Sequence, residues 1–232
     1  MTVAGASLKT HMPHKVGVMI PTYKRPDLLR QAVLQWIVQT VKPDLLCIHQ
    51  NGSAESYEWA IEDLKPLINI KFIHVPTQTK QHMWYALPLS HLLAERCDVF
   101  LWADHDDFYY RNHVETKIAQ LEGHDVTLSD MCGVLFVDHL DYKYNPPAKF
   151  HVHAPGGMSS SMAFNRKFAE SLMMDLVNDT EYYYSDNVVA HVTMPKHDKH
   201  LTEDLTTVYV SHKGSHSSHH WAEGIFSKAE PT

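Results

Sequence analysis

Residues 15–40 read KVGVMIPTYKRPDLLRQAVLQWIVQT, and this stretch decides the fold. Its first six residues form a short apolar, β-branched run, the pattern of a buried strand. PTYKRP at 21–26 is a polar loop. Pro26 and Asp27 then open a helix, because a proline early in a helix gives up an N–H that would have had no partner there. Leu28, Leu29, Ala32, Val33, Trp36 and Ile37 recur at helical spacing and would face a sheet. Residues 40–43 end that helix.

The same unit repeats downstream. Residues 45–49 read as a second strand, Asn51-Gly52-Ser53 as its turn and 55–64 as a second helix. A third strand follows at 70–75. Residues 81–95 have a helical pattern that Pro88 should break or kink. VFLWA at 99–103 is a fourth strand ending directly on Asp104, and 113–121 is another helix. The alternation predicts a single-domain, three-layer α/β/α architecture with a mainly parallel central sheet. Such sheets bind ligands at the carboxyl ends of their strands. The polar clusters PTYKR, NGS and DHDD should therefore meet along one edge.

The second half is less regular. Residues 133–137, 160–164 and 207–210 read as strands, and 142–157 as a loop or short antiparallel excursion. Residues 166–177 form a helix with Phe168, Leu172 and Leu176 on one face, and 186–191 read as the start of another. Residues 1–14 look like a loose leader.

Lys and Arg total 20 against 27 Asp and Glu, a formal charge of −7. That balance argues against duplex nucleic acid or an anionic membrane as the main partner. No apolar run reaches the ~18 residues that span a bilayer, and the N-terminus lacks a signal-peptide core. Cys47, Cys97 and Cys132 are far apart and in no metal-ligand spacing, so they read as buried free thiols of a reducing compartment, the cytoplasm.

Three clusters carry chemistry. Asp104-His105-Asp106-Asp107 puts three carboxylates within four residues at a strand's carboxyl end. Their repulsion is relieved by a hard cation, Mg²⁺ or Mn²⁺, able to hold a diphosphate, although a solvated helix-capping turn would look the same. The loop Pro21-Thr22-Tyr23-Lys24-Arg25-Pro26 offers two cations and a helix N-terminus to a phosphate or nucleotide edge, with Tyr23 able to lie against a base or ribose. Asn51-Gly52-Ser53 combines a tight turn with an amide for base or ribose.

Together these strings resemble the inverting family-two glycosyltransferases of the GT-A (Rossmann-like) fold. That family opens with a strand, a Pro-Thr-Tyr/Phe-Asn-Arg loop and a helix ending in Gln-Thr. An Asp-Asn-Gly-Ser-type turn follows, then an Asp-X-Asp motif after an apolar strand. The likeness covers roughly residues 15–118, with three departures. Lys24 stands where Asn is common, Gln50 replaces an Asp, and TQTKQHMWYAL at 77–87 replaces a Gly- and Arg-rich stretch, leaving Lys80 to supply positive charge.

The resemblance implies a donor, acceptor and metal arrangement. The donor is a nucleotide-diphospho-sugar contacted by Pro21, Thr22, Tyr23, Arg25, Asn51, Lys80 and Asp104. Asp104, Asp106 and a late histidine, His212 before His216, would bind Mn²⁺ or Mg²⁺, with Asp107 a possible helper. The general base would be Asp186, with Ser185 in place of the usual acidic partner and Glu181 or Asp179 as alternatives. PGGMSSSM at 155–162 matches the small-residue lining of an acceptor site for a glycan or glycoprotein hydroxyl. Residues 15–125 would then hold the donor, and 126–232, with the His-rich end, the acceptor. Four rivals remain: a nucleotidyltransferase, a metal-dependent hydrolase, a non-catalytic nucleotide-sugar-binding module and a retaining transferase.

Overall fold

The computed structural model describes residues 14–80, 83–129, 131–138, 143–144, 150–153, 159–178 and 188–212. In chain order the first elements are β1 (Val16–Thr22), α1 (Pro26–Ile37), β2 (Leu45–Asn51), β3 (Ile70–Val75), α2 (Met83–Ala94), β4 (Val99–Trp102), β5 (Phe108–Tyr109) and α3 (His113–Leu121). They are followed by β6 (Val126–Ser129), β7 (Met131–Asp138), β8 (Lys143–Tyr144), β9 (Phe150–His153), β10 (Ala163–Asn165), α4 (Arg166–Asn178), β11 (Lys199–Thr202) and β12 (Thr207–His212).

One sheet of seven strands runs in the order β11-β6-β10-β4-β1-β2-β3. β1 pairs parallel with both β2 and β4, and β2 parallel with β3. The chain thus steps outward from β1 to β3 and returns to the other side of β1 as β4. β1 and β4 flank the switch point where such sheets open a ligand crevice. β10 is antiparallel to both β4 and β6, and β11 is parallel to β6. A second sheet has the order β5-β12-β7-β8, with β9 also on β7.

The period of two along β1 builds two cores. Val16, Val18 and Ile20 pack with Leu29, Val33 and Trp36 of α1 and Val114 of α3. Met19 points the other way, toward Tyr85, Leu89 and Leu92 of α2 and Phe168, Leu172 and Leu176 of α4. Burial on both faces is why residues 16–20 read as an uninterrupted apolar run. Gly17 lets α2 come close, since a Cβ there would lie 2.7 Å from Leu92 Cδ2.

Several elements differ from expectation. α2 runs unbroken through Pro88. The proline removes the donor that the Trp84 carbonyl would otherwise receive. His49 Nδ1, from β2, lies 2.9 Å from that carbonyl and donates in its place. Burial lowers the His49 pKa and keeps the ring neutral. Residues Glu58–Leu64 form a 3₁₀ segment rather than an α-helix. The strand expected over 160–164 is a 3₁₀ turn, Ser159–Ser161, followed by β10. The expected start of a helix at 186–191 is, in its described part, a π-helical turn, Val188–Thr193. β8 and β9 form the antiparallel excursion on β7. Among the described residues no helix is long and apolar enough to cross a membrane.

Candidate active site

The acidic turn begins where β4 ends. Ala103 N–H donates to the Met19 carbonyl of β1 at 3.1 Å, which aims the next residues over the switch point. Tyr85 stacks on Trp102 with ring centroids 3.5 Å apart, and its hydroxyl donates to Asp104 Oδ1 at 2.5 Å. Asp104 N–H donates to the Tyr109 hydroxyl oxygen at 2.8 Å. His105 Nδ1 lies 3.1 Å from the Pro21 carbonyl and ties the turn to β1. Arg25 Nη1 donates to Asp106 Oδ2 at 2.8 Å, both side chains being largely buried.

Asp107 turns inward and is buried. Its Oδ1 accepts from Val210 N–H of β12 at 3.0 Å, and its Oδ2 has no hydrogen-bond partner. Burial first, then the charges of Asp104 and Asp106, push its pKa well above the usual carboxylate range. A buried carboxyl beside two like charges prefers the neutral form.

Helix α1 holds this turn from below. Gln35 Oε1 accepts from Tyr109 N–H at 2.7 Å, and its Nε2 donates to the Asp107 carbonyl at 3.2 Å. One turn on, Gln39 Nε2 donates to the Tyr110 carbonyl, and its Oε1 accepts from Val114 N–H. Thr40 N–H donates to the Arg111 carbonyl at 2.7 Å. The Gln-Thr at the helix end is therefore a clamp on the acidic turn and the start of α3.

The other two clusters lie on the same edge. The Thr22 hydroxyl is 2.9 Å from the Tyr57 hydroxyl, both buried. Tyr23 stacks near Trp84 with centroids 6.4 Å apart, and Lys24 Nζ sits 4.9 Å over the Tyr23 ring. Lys24 has φ 53°, a left-handed conformation that asparagine tolerates well, which is a physical reason for Asn at this loop position. Asn51 Oδ1 accepts from both N–H and Oγ1 of Thr79 at 3.0 Å. Gly52 has φ +71°, and a Cβ there would meet Gln78 Cβ at 2.9 Å. Gln50 donates to the Glu55 carbonyl and accepts from Tyr57 N–H, so its amide secures the 55–57 loop.

Pro21, Thr22, Tyr23, Arg25, Asn51, Asp104 and Asp106 thus gather at the carboxyl ends of β1, β2 and β4. Lys80 is exposed in the loop after β3. His212 closes β12 opposite Val137 of β7. Asp186, with Asp179, Glu181, Ser185 and His216, lies outside the described residues. In the 159–161 turn, Ser161 Oγ accepts from Ser129 N–H at 2.8 Å and so ties the turn to β6, whereas the buried Ser160 hydroxyl makes no hydrogen bond among the described residues. Gln35, Tyr85 and Tyr109 were missed in the sequence. Gln35 and Gln39 left one signal, two polar residues a helical turn apart beside an apolar stripe.

Among the described residues no group of three or more His, Cys, Asp or Glu side chains surrounds a metal position. Asp104 and Asp106 nonetheless fit a hard cation, because Mg²⁺-like ions are commonly held by one or two carboxylates, with substrate phosphates and water completing the shell.

No protein-family model matches the chain, and no curated protein sequence matches it. Solved structures do. Staphylococcus aureus TarS in complex with UDP-GlcNAc superposes with a TM-score of 0.61 at 12% identity, over 94% of this chain and 62% of that one. The mannosyltransferase PcManGT from Pyrobaculum calidifontis, in complex with GDP-Man and Mn²⁺, gives 0.61 at 13%, over 95% and 67%. The 4-diphosphocytidyl-2C-methyl-D-erythritol synthase from Anaerococcus prevotii gives 0.51 at 12%, over 86% and 87%. The chain spans between 37% and 62% of the length of the TarS structures. At such identities the likeness is one of fold, and the fold is the three-layer GT-A arrangement expected from the sequence.

Proposed function

We propose, from the GT-A fold that this chain adopts, that it is a glycosyltransferase moving a sugar from a nucleotide-diphospho-sugar to a glycan or glycoprotein hydroxyl. The observation that carries this is the meeting of Arg25 and Asp106, 2.8 Å apart, across the β1/β4 switch point. A cation from one loop and carboxylates from the other face the crevice where α/β sheets bind ligands. TarS and PcManGT, in complex with UDP-GlcNAc and with GDP-Man and Mn²⁺, support a donor of this class.

Asp104 and Asp106, with His212, would hold Mn²⁺ or Mg²⁺. The bound cation would offset charge building on the departing diphosphate. Tyr23 lies against base or ribose, with Pro21, Thr22 and Asn51 shaping that pocket. Arg25 and Lys80 face the diphosphate. Asp186, or Glu181 or Asp179 nearby, takes the acceptor proton. The acceptor oxygen forms its bond to the anomeric carbon from the face opposite the leaving group. The donor C–O bond breaks, its electron pair leaves with the nucleoside diphosphate, and configuration inverts. Residues 15–125 serve the donor and 126–232 the acceptor. The free thiols Cys47 and Cys97, both buried, support a cytoplasmic setting.

The test is a thermal-shift and hydrolysis screen of UDP-, GDP- and dTDP-sugars with and without Mn²⁺. Metal-dependent stabilisation by one donor, with slow release of its nucleoside diphosphate, is expected. Stabilisation without turnover, even with acceptors added, points to a binding module, and no response to any donor overturns the proposal. A second possibility, nucleotidyl transfer, is favoured by the synthase fold likeness, which covers 87% of that chain. Release of pyrophosphate from a nucleoside triphosphate would identify it.

A further inference from the structure

The acidic turn already contains a cation of its own. Three carboxylates within four residues repel one another, and each is handled differently. Asp104 accepts from Tyr85, and Asp107 turns inward, where it is buried and accepts from Val210 N–H. Asp106 is neutralised by Arg25, whose guanidinium reaches it from the opposite wall of the crevice across 81 residues of sequence. The two side chains are only 21% and 16% exposed, so water screens the pair poorly.

We infer that Arg25 is an internal stand-in for the divalent cation, exchanging its partner from Asp106 to the donor diphosphate when cation and donor bind together. This rests on the glycosyltransferase proposal. A divalent ion arriving alone must displace a 2.8 Å charge-assisted contact between Asp106 and Arg25. A cation arriving with a diphosphate offers Arg25 a replacement anion of matching fork geometry. Cation and donor therefore bind with positive coupling, and coupling between two ligands is reciprocal. The exchange keeps the crevice close to neutral before and after loading.

The test is Mn²⁺ binding to the full chain, read by electron paramagnetic resonance or calorimetry, with and without nucleoside diphosphate. In Arg25→Gln, Mn²⁺ alone should bind about tenfold tighter than in the wild type, since the competing charge-assisted bond is gone. The gain in Mn²⁺ affinity on adding the nucleotide should shrink by a similar factor. Arg25→Lys, which keeps the charge but loses the fork, should fall between. Lys24→Gln removes the same charge one residue away and should leave Mn²⁺ affinity within about twofold. Unchanged or weaker Mn²⁺ binding in a folded Arg25→Gln overturns the inference, as does an equal gain in Lys24→Gln. If the wild type binds neither Mn²⁺ nor any nucleotide, the glycosyltransferase proposal fails instead.

Discussion

Among the described residues, the acidic sites at Asp204 and Asp107 are built in opposite ways. At Asp204, before β12, every oxygen is answered. Lys117 Nζ donates to Oδ2 at 2.8 Å, Thr202 Oγ1 donates to the same oxygen, and Thr206 donates to Oδ1 through both N–H and hydroxyl. Burial alone would raise this carboxyl, but the Lys117 charge and these bonds outweigh it and hold the pKa well below the usual range. His113 extends the network. The Thr206 hydroxyl proton is given to Asp204, so Nδ1–H of His113 must donate to Thr206 Oγ1, at 2.8 Å. At Asp107 the opposite holds: one oxygen is unpartnered and two like charges adjoin it. The first site is complete as folded. The second stores repulsion that a bound cation would relieve, as functional sites often do.

The largest effect should come from breaking the complete site. Asp204→Asn leaves the fully buried Lys117 ammonium unpaired and should cost ~3–5 kcal/mol, a fall in Tm of roughly 10 °C. A fall of a degree or two in a thermal melt would mean that Lys117 finds another anion or water.

Acid should act on the same network. Burial, aided by the Lys117 charge, lowers the His113 pKa to about 3. The native ring stays neutral while the unfolded ring takes a proton below about pH 6.5. Stability is thus lost as pH falls from about 6.5 toward 3, a loss on the order of a few kcal/mol. The depressed Asp204 adds a further loss below about pH 4, as its unfolded counterpart protonates first. His113→Gln should flatten the upper window in urea melts run against pH; an unchanged slope there would assign it to other groups.

Asp107→Asn should do the reverse of Asp204→Asn. The amide oxygen can still accept from Val210 N–H, and the cost of keeping protonated a carboxyl that ionises freely in the unfolded chain is gone, so the metal-free protein should gain ~1 kcal/mol, about 3 °C in Tm. A loss of stability would show that the ionised carboxylate is supported in the fold. The smallest stability change belongs to Asp106→Asn, at or below ~1 kcal/mol, because the amide oxygen can still accept from Arg25 Nη1. The same substitution should abolish the Mn²⁺-dependent thermal shift with nucleoside diphosphate; persistence of that shift would remove Asp106 from the cation site.

The first half of the fold was legible in the sequence because parallel strands buried on both faces leave uniform apolar runs, as in residues 16–20 and 99–102, separated by crossover helices. β5 and β8, two residues each, carry too little pattern to detect, and β6 and β11 become strands by pairing with partners far along the chain. That Pro88 does not break its helix could not be read from the sequence, because the group that replaces its hydrogen bond, His49, lies on another element.

Sequence alone determined which chemistry sits at the strand ends: PTYKR, NGS and DHDD, each within two residues of an apolar run. Local composition suffices there to within a few residues, because an apolar run marks where a buried strand lies even though β1 and β2 continue past theirs to Thr22 and Asn51. Only the tertiary structure decided the state of each acid. Asp104, Asp106, Asp107 and Asp204 are the same residue, yet one accepts from Tyr85, one is paired with Arg25, one is pushed toward neutrality and one is locked ionised by Lys117. Each of those states takes a partner from 19 to 103 residues away, besides any close neighbours, and Coulomb energy and desolvation act through space rather than along the chain.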